Sequence, residues 1–337
     1  MSHENSNSSE YTSDKFWNYH PILPLKFAPY FDSPKNIRAI VIYWLNTWRP
    51  LGTQFIFLLT AILVWMFFTP SLERAANFSF DWIFEIWLRD MILMLTVVGA
   101  THLYLHTFKG QGVDLKYDKR ELATNSKRFL FNNQNHDNIF LTLTGGVFFW
   151  TFWESLLLWA FANGHATLIT LDSNPIWFIA VLAFTPLWSY TFFDMQHRIH
   201  HTEWLYKKVH YIHHKNGNMG PWSGLAMHPL EQFILMSDTL IFFIIAAHPV
   251  HVIYSLIFHG LGAPLSHTGF DKIRIGKENG KGITLNFGDF YHQLHHRFFD
   301  SNFGTLDTPF DINHDCFHDG TLEGHQRFME KRKQAAS

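Results

Sequence analysis

Residues 197–214 read His-Arg-Ile-His-His-Thr-Glu-Trp-Leu-Tyr-Lys-Lys-Val-His-Tyr-Ile-His-His and contain the densest histidine pattern of the chain. The pattern has two groups with spacings of three and four residues: His197, His200 and His201, then His210, His213 and His214. A third group repeats the His-x-x-His-His spacing of the second: His292, His295 and His296. On an α-helix these spacings place side chains on one face. We therefore predict three helical segments, each presenting a row of imidazoles.

These imidazoles are candidate metal ligands, because imidazole binds iron, zinc and copper well. A lone histidine is more often a surface or packing residue, whereas three dense groups rarely arise by chance. So many imidazoles exceed the needs of one ion, and we predict two metal ions at a membrane surface. Histidines outside the groups can complete the ligand set: His267 is the stronger candidate, His228 before Pro229 is another, and His259 stays open.

The composition is typical of a membrane protein. Aromatic residues make up 18% of the 337-residue chain and charged residues only 16%, with 35 Phe and 13 Trp. Trp and Tyr collect at membrane interfaces, where one end of the side chain is apolar and the other wet. The formal net charge of −2 gives no sign of nucleic-acid binding. Cys316 is the single cysteine, which excludes an intrachain disulfide and a cysteine-based metal cluster.

Long apolar runs predict an all-α integral membrane protein. A run of about 20 apolar residues is long enough to cross a bilayer core. Four runs predict four main spans, and a fifth, which is broken at Pro249, predicts a helical hairpin. The runs cover residues 51–69, 91–108, 139–162, 175–193 and 233–265. We expect a cytoplasmic helical cap on these spans to hold the histidine groups.

The basic residues predict the orientation of the chain in the membrane. Residues 109–128 contain six Lys or Arg, whereas the short connections 70–80 and 163–174 contain only Arg74 between them. Cytoplasmic loops carry the excess of Lys and Arg, so residues 109–128 are predicted to be cytoplasmic. Four crossings then place the first two histidine groups on that side. The hairpin must cross an even number of times if the third group is to share the metals.

The chain divides into one membrane domain with polar ends. We predict a polar N-terminal tail and entry segment at 1–36 and a C-terminal tail at 307–337. The membrane domain spans 37–306, with its catalytic cap mainly at 194–230 and 266–306. The first fifteen residues lack a basic segment followed by an apolar one, so we expect a disordered tail and no cleaved signal peptide.

No carboxylate lies inside the histidine groups, unlike in soluble di-iron proteins with Glu-x-x-His pairs. Asp194 is the nearest one, a helical turn before His197. We interpret it as an acceptor for the outer ring N–H of a ligating histidine. Asn302, with Asp289 and Asn286, is a candidate for the same role around the third group. Asp194 and Asn302 are therefore the candidate catalytic residues beside the metals.

Over about residues 194–306 the chain resembles the fatty acid hydroxylase/sterol desaturase superfamily of membrane non-haem di-iron enzymes, and most of all its sterol C5-desaturase branch. The motifs that carry the resemblance are His197-Arg198 with a histidine four residues on, Tyr-Lys, His-x-x-His-His-Lys ending at Lys215, the His228-Pro229 step, the His267-x-Gly269 step, and HQLHHRFFDSNFG from His292 to Gly304.

The resemblance implies an oxygen-dependent hydroxylase or desaturase of a membrane lipid (sterol, fatty acyl or related) with two histidine-bound iron ions. Zinc can replace iron in a purified protein, because imidazole accepts both. The electron donor would be cytochrome b5 or a ferredoxin with its reductase. Carried over by position, the ligands are His197, His201, His210, His213, His214, His267, His292, His295 and His296, with His228 as a tenth candidate. His200 falls beside the aligned positions.

Several alternatives stay open. After Gly304 the chain departs from the family pattern and reads Thr305-Leu-Asp-Thr-Pro, so a sterol substrate is not settled. Hydroxylation and desaturation share their first hydrogen abstraction, and the motifs do not separate them. A bacterial inner membrane and the endoplasmic reticulum fit equally well. One other function considered is a transition-metal transporter or metal-binding membrane protein, although transporters tend to place ligands at the bilayer midplane. Another is a bis-histidine membrane cytochrome, which needs isolated histidines facing one another across transmembrane helices.

The predicted orientation can be checked by labelling. A cysteine introduced at Ser173, in the connection 163–174, is expected to react with a membrane-impermeant thiol reagent added from outside. Labelling only from the cytoplasmic side would contradict the orientation.

Overall fold

A computed structural model describes residues 17–276 and 282–336, and helices make up most of this part of the chain. The α-helices are α1 (Ile37–Trp48), α2 (Thr53–Phe68), α3 (Leu72–Ala75), α4 (Phe80–His102), α5 (Gln134–Leu141), α6 (Val147–Ala162), α7 (Pro175–His200), α8 (Glu203–Leu205), α9 (Tyr211–His214), α10 (Pro229–Met236), α11 (Pro249–Gly260), α12 (Gly262–Ser266), α13 (Phe290–Phe298), α14 (Phe310–Asn313) and α15 (Leu322–Ala336). The tail expected over the first fifteen residues lies outside the described residues.

Three π-helical turns continue or join these helices, at Leu103–Thr107, Thr142–Gly146 and Tyr206–His210. Short 3₁₀ helices cover Pro29–Phe31, Pro221–Leu225 and Ser237–Phe243. The strictly all-α prediction needs a small correction, because β1 (Ile273–Ile275) and β2 (Ile283–Leu285) form an antiparallel pair. This pair lies between His267, which follows α12, and the histidines of α13.

Among the described residues, two continuous helices are long and apolar enough to cross a membrane. One is Gln134–Ala162, in which a π-helical turn joins α5 to α6, and the other is α7. Helices α1 and α2 meet at a 42° bend and make a third crossing if the pair counts as one span. The bend follows from the sequence Arg49-Pro50, because proline cannot continue the hydrogen bonds of α1. The larger count of four spans and a hairpin, with a cytoplasmic cap, stays a prediction.

The apolar region 233–265 contains a chain reversal, although Pro249 does not break a helix. Pro249 is instead the first residue of α11, where a missing N–H costs no hydrogen bond. The end of the reversal pairs with the connection before α7: Ala247 N–H donates to Thr167 O at 2.9 Å, and Ile169 N–H donates to Ala247 O at 2.9 Å. These contacts place the reversal beside residues 163–174, at the opposite end of α7 from its histidines.

The large apolar core lies between α2, α4, α6, α7 and α11. Helix α11 is buried along nearly its whole length and packs against α2, α6 and α7. The aromatic ring of Trp150 on α6 lies directly over Gly260, where a Cβ atom would overlap it. The close approach allowed by this glycine brings the C-terminal end of α11, and α12 after it, against the rest of the bundle. Helix α12 then delivers His267 to the site.

A buried charge cluster joins α4 to α6. Arg89 forms bidentate hydrogen bonds with Glu154 at 2.9 and 2.6 Å, and it also binds Asp90 at 2.7 Å. Thr151 donates to the second oxygen of Asp90 at 3.0 Å. Asp90 and Glu154 are fully buried, and Arg89 nearly so. Charges in such surroundings are costly unless each one is paired, so this cluster specifies how α4 and α6 pack.

Replacing Arg89 with Ala is expected to destabilise the protein by about 3–5 kcal/mol, because it leaves two carboxylates buried without their cation. Arg74→Ala is the matched control: Arg74 also pairs with two acidic side chains, but at the exposed surface, where little stability is lost. The measurement is the free energy of unfolding in mixed micelles. Similar losses in the two variants would contradict a structural role for the buried cluster.

Candidate metal centre

Four segments bring the histidines together. The C-terminal end of α7 carries His197 and is followed by His201, and the π-helical turn before α9 ends at His210. The third group lies on α13, which begins where the side chain of Asp289 accepts a hydrogen bond from His292 N–H at 3.0 Å. His267 follows α12 directly.

Five imidazoles, drawn from all three histidine groups of the sequence, form one spatial cluster, which we call centre 1. Their candidate ligand nitrogens all lie within 4.8 Å of one another. The members are His197, His201, His210, His214 and His295. Neighbouring Nε2 atoms are closely spaced, with 3.0 Å between His197 and His210 and 2.9 Å between His210 and His214. Four of the rings are buried, and His201 is partly exposed.

Four buried imidazoles form another spatial cluster, which we call centre 2. It consists of His213, His267, His292 and His296. The Nε2 atom of His296 lies 3.0 Å from that of His213 and 3.1 Å from that of His292. The Nε2 atom of His267 lies 3.2 Å from those of His292 and His296. Nine of the ten histidines predicted as metal ligands therefore fall into two compact groups.

The His-x-x-His-His spacing distributes its members between the two centres. In the second histidine group the first and last residues, His210 and His214, join centre 1, and His213 joins centre 2. In the third group the assignment is reversed: the first and last residues join centre 2, and His295 joins centre 1. Adjacent residues on a helix point about 100° apart, whereas residues four apart share a face. A His-His pair on one helix can therefore serve two neighbouring sites.

The partners of the outer ring nitrogens, Nδ1, show that the inner nitrogens, Nε2, carry the lone pairs in three of the rings. The Nδ1 atoms of His197, His267 and His295 lie 2.5–2.7 Å from the carbonyl oxygens of Phe303, Ala263 and Ser301. Carbonyl oxygens only accept, so each Nδ1 carries the proton and each Nε2 presents a lone pair.

Lone pairs converging at about 3 Å repel one another unless a cation lies among them. Two nitrogens bound at about 2.1 Å to one ion, at a right angle, are themselves about 3.0 Å apart. The observed Nε2 spacings of 2.9–3.3 Å match this value. Both donor sets therefore fit a transition-metal ion of the kind that imidazole prefers.

Burial keeps these histidines neutral. It lowers the pKa of His267 to about 4 and that of His295 to about 3. The pKa values of His213 and His214 also fall well below the usual range, first through burial and then through repulsion from neighbouring imidazoles. A neutral imidazole has a lone pair to offer, so at neutral pH the rings do not have to lose a proton before binding a metal.

Glu231 is a site residue that the sequence analysis missed. Its Oε1 atom lies 2.6 Å from Nδ1 of His210, and its side chain is almost completely buried. Burial raises the pKa of Glu231 and lowers that of His210, which opposes an imidazolium and leaves Nδ1–H to donate. The available signal was weak: Glu231 is the single acidic residue in the apolar segment 229–236.

Asp194 occupies a different position from the one expected. No hydrogen bond joins it to any of the nine grouped histidines; it binds Arg198 Nε at 2.5 Å and Thr308 Oγ1 at 2.9 Å. Arg198 also binds Asp311 at 2.6 Å, and Asp311 accepts hydrogen bonds from the backbone of Phe303 and Gly304. Asp194 thus helps to hold the loop whose Phe303 carbonyl accepts from His197.

Asn302 also lies in this loop rather than against a histidine of either centre. Its backbone has a φ of 58°, a left-handed conformation that asparagine tolerates better than most residues. Its side chain donates to His318 O at 3.0 Å and accepts from His318 N–H at 2.7 Å. These bonds fix the turn after α13, so Asn302 acts on the centres through the backbone.

Three other histidines lie outside both centres. His228 caps α10, with its Nδ1 atom accepting from Leu230 N–H at 3.1 Å. His200 contacts the carbonyl oxygen of Gln196 through Nδ1 at 2.8 Å. His259 binds Asp238 at 2.9 Å, in a buried cluster that includes two serines. Because Nδ1 of His228 accepts this bond, the neutral ring carries its proton on Nε2 and has no lone pair left for a metal.

A cavity of about 400 Å³ reaches centre 2. Its lining includes His213, His267 and His292, whereas no histidine of centre 1 lines it. Apolar side chains from helices and loops form much of the wall: Phe57, Phe193, Leu235, Phe258, Phe287 and Leu306. Cavities of about 300–1,000 Å³ with mostly apolar walls are typical of sites for small lipophilic molecules.

Centre 1 lies against a different part of the molecule. The ring of Tyr206, which is partly exposed, lies 5.4 Å from that of His201 and 5.7 Å from that of His214. Exposed Lys207 and Lys208 follow Tyr206 in the sequence. The two centres therefore differ in access, with centre 2 open to the cavity and centre 1 covered by a surface aromatic residue.

Comparisons with known proteins find one family match and a curated relative. Residues 177–315, which carry all nine grouped histidines, match the fatty acid hydroxylase family. The chain is 26% identical over 306 residues to the Delta(7)-sterol 5(6)-desaturase ERG3A of Gibberella zeae, across 87% of this chain and 79% of that protein. No solved structure matches the chain.

Replacing Glu231 with Ala is expected to weaken metal binding by about 10–100-fold, because His210 loses the acceptor that orients its ring. Glu203→Ala is the matched control, since Glu203 is exposed and pairs only with Lys207 at 2.6 Å. The measurement is Fe²⁺ affinity by competition with a chelator. Equal affinities of the two variants would show that Glu231 does not position His210.

Proposed function

We propose that this chain, which belongs to the fatty acid hydroxylase/sterol desaturase superfamily and is an oxidoreductase, hydroxylates or desaturates a membrane lipid with O₂ at a histidine-bound pair of iron ions. The observation that carries the proposal is the pairing of two neutral imidazole groups with an apolar cavity that opens onto one of them. Candidate membrane-spanning helices beside the cavity suit a substrate that enters from the bilayer.

The nine grouped histidines are the proposed ligands of two iron ions, five at centre 1 and four at centre 2. His228 is left out of the set, because its ring caps α10. When bound, the ions supply the oxygen chemistry that removes hydrogen from an unactivated C–H bond. The protein orients the rings through the Phe303, Ala263 and Ser301 carbonyls and through Glu231.

The cavity would position the substrate at centre 2. Phe57, Phe193 and Phe258 provide walls that bind a hydrocarbon and exclude water from the reacting carbon. His213, His267 and His292 form part of the same wall, so a bound lipid lies against centre 2 and not centre 1. We therefore assign substrate oxidation to the neighbourhood of centre 2.

An electron donor must complete the reaction. Reduction of O₂ to water takes four electrons, and the oxidised lipid provides two of them, so two come from an external carrier. The surface over centre 1 suits a small acidic carrier such as cytochrome b5 or a ferredoxin. Tyr206 contacts two histidines of the centre there. Exposed Lys208 adds positive charge beside it, whereas the charge of Lys207 is offset by Glu203. The site would face the cytoplasm, in a bacterial inner membrane or the endoplasmic reticulum.

Replacing His213 with Ala is expected to lower the iron content and to reduce product formation at least about 100-fold, because centre 2 loses one of four ligands. His228→Ala is expected to keep both iron ions, and His136→Ala, at an exposed position, serves as the neutral control. Iron per chain is measured on purified protein. Lipid mass spectrometry of cells with and without the protein, in air and without O₂, detects a new hydroxyl group or double bond.

Unchanged iron content and unchanged oxidation product in His213→Ala would contradict the proposed site. Metal flux into sealed vesicles without any oxidised lipid would instead favour the transporter alternative.

A further inference from the structure

The cavity has a polar region in addition to its apolar walls, and Asp307 is one part of it. The Oδ1 atom of Asp307 accepts hydrogen bonds from the hydroxyl groups of Tyr30 and Tyr43, each at 2.7 Å. Within the described chain, no hydrogen bond to the second oxygen, Oδ2, is present. Asp307 and Tyr43 both line the cavity. One carboxylate oxygen is thus engaged by the protein, and the other is left as an acceptor.

Tyr190 is the second part of this polar region. Its hydroxyl oxygen accepts from Gln54 Nε2 at 3.3 Å, and Gln54 is itself oriented by the Tyr254 hydroxyl, which donates to Oε1 at 2.7 Å. The Tyr190 O–H finds no acceptor among residues 17–276 and 282–336. Because Tyr190 and Gln54 also line the cavity, the wall offers a free donor as well as a free acceptor.

The chemistry of a matching ligand follows from these two groups. Both residues are half-buried in the cavity wall. A ligand that fills the cavity displaces water from these two atoms, so a ligand that forms hydrogen bonds with both is preferred over one that leaves them unpaired. An alcohol donates through its O–H and accepts through its oxygen. An ester or ether has no proton to give to Asp307, and an ionised fatty acid brings a second negative charge towards it.

We propose that Asp307 and Tyr190 select a lipid alcohol, with the hydroxyl donating to Asp307 Oδ2 and accepting from Tyr190 while the hydrocarbon extends along the apolar wall to centre 2. This inference rests on the proposed function and specifies the class of its substrate. Asp307 lies in the segment after Gly304, where the sequence departs from the family pattern. This segment thus contributes Asp307 as a recognition group. Asp307 also connects the N-terminal segment to the cavity through its hydrogen bond with Tyr30.

The test compares matched pairs of lipids that differ only at the oxygen. The probes are a Δ7-sterol and its 3-O-methyl ether, and hexadecanol and its methyl ether. Each competes with the radiolabelled alcohol for the purified, detergent-solubilised protein. In at least one of the two pairs the wild-type protein is expected to bind the alcohol about 10-fold or more tightly than the ether, because the bond to a carboxylate is lost in the ether. The pair that shows the difference identifies the hydrocarbon skeleton.

Two variants assign the preference to its residues. In Asp307→Asn the amide oxygen stays with the tyrosine hydroxyls, so an NH₂ group faces the cavity and the alcohol loses its acceptor. Tyr190→Phe keeps the ring and removes the donor. Each variant is expected to reduce the alcohol preference at least about 3-fold, whereas Asp172→Asn, at an exposed position, keeps it. Using both variants guards against the failure of one to fold.

Equal binding of alcohol and ether, binding of neither pair, or an undiminished preference in both variants would overturn the inference. Its failure is distinguishable from that of the proposed function, because binding is measured with and without iron. Iron-dependent lipid oxidation without any alcohol preference would overturn this inference alone. An alcohol preference in a protein that takes up no iron would support the selection of a lipid alcohol and overturn the proposed function.

Discussion

The structure depends on nine imidazoles, eight of them buried, whose inner nitrogens face one another. Such an arrangement requires that every ring be neutral and that a cation offset the repulsion among the lone pairs. The protein meets the first requirement through burial. It orients four of the rings through their outer nitrogens, three by backbone carbonyls and His210 by Glu231.

The loop after α13 shows how the protein orients two of these rings. The carbonyls of Ser301 and Phe303 accept from His295 and His197, so the loop must keep one conformation. Asn302 holds the loop from its left-handed position, and Asp311 receives the backbone N–H groups of the residues that follow. Arg198 bridges Asp311 to Asp194 and connects the loop to α7. These ion pairs and hydrogen bonds thus hold the loop that orients the rings of His295 and His197.

The sequence revealed the site more fully than its surroundings. Helical spacing grouped the histidines, because position on a helical face depends only on local geometry, and the resemblance to the family separated His201 from His200. The role of Asp194 was wrong in its detail, since the partner of a ring nitrogen depends on which distant segment packs there, and the Phe303 carbonyl takes that place. Glu231 was missed for the same reason: it lies 21 residues from His210 and meets it only after folding.

The fold was predictable at the level of helices and less so at their boundaries. Apolar runs located α2, α6 and α7, but the run at 91–108 belongs to a longer helix, α4, whose first half carries charges. Among those charges, Arg89 pairs with Glu154 of α6 inside the bundle, and hydropathy alone does not predict such a buried ion pair. Pro249 starts a helix instead of interrupting one, because proline fits the first turn as well as a break.

The adjacent histidine pairs have a consequence for how such a site can change over evolutionary time. Single peptide bonds between His213 and His214 and between His295 and His296 connect the two centres. Any movement of these short backbone segments alters both centres together, so neither can be reshaped alone. Variation is left to the parts that touch only one of them, the cavity wall beside centre 2 and the surface over centre 1. A new substrate or a new partner can therefore be acquired while the shared frame between them stays constant.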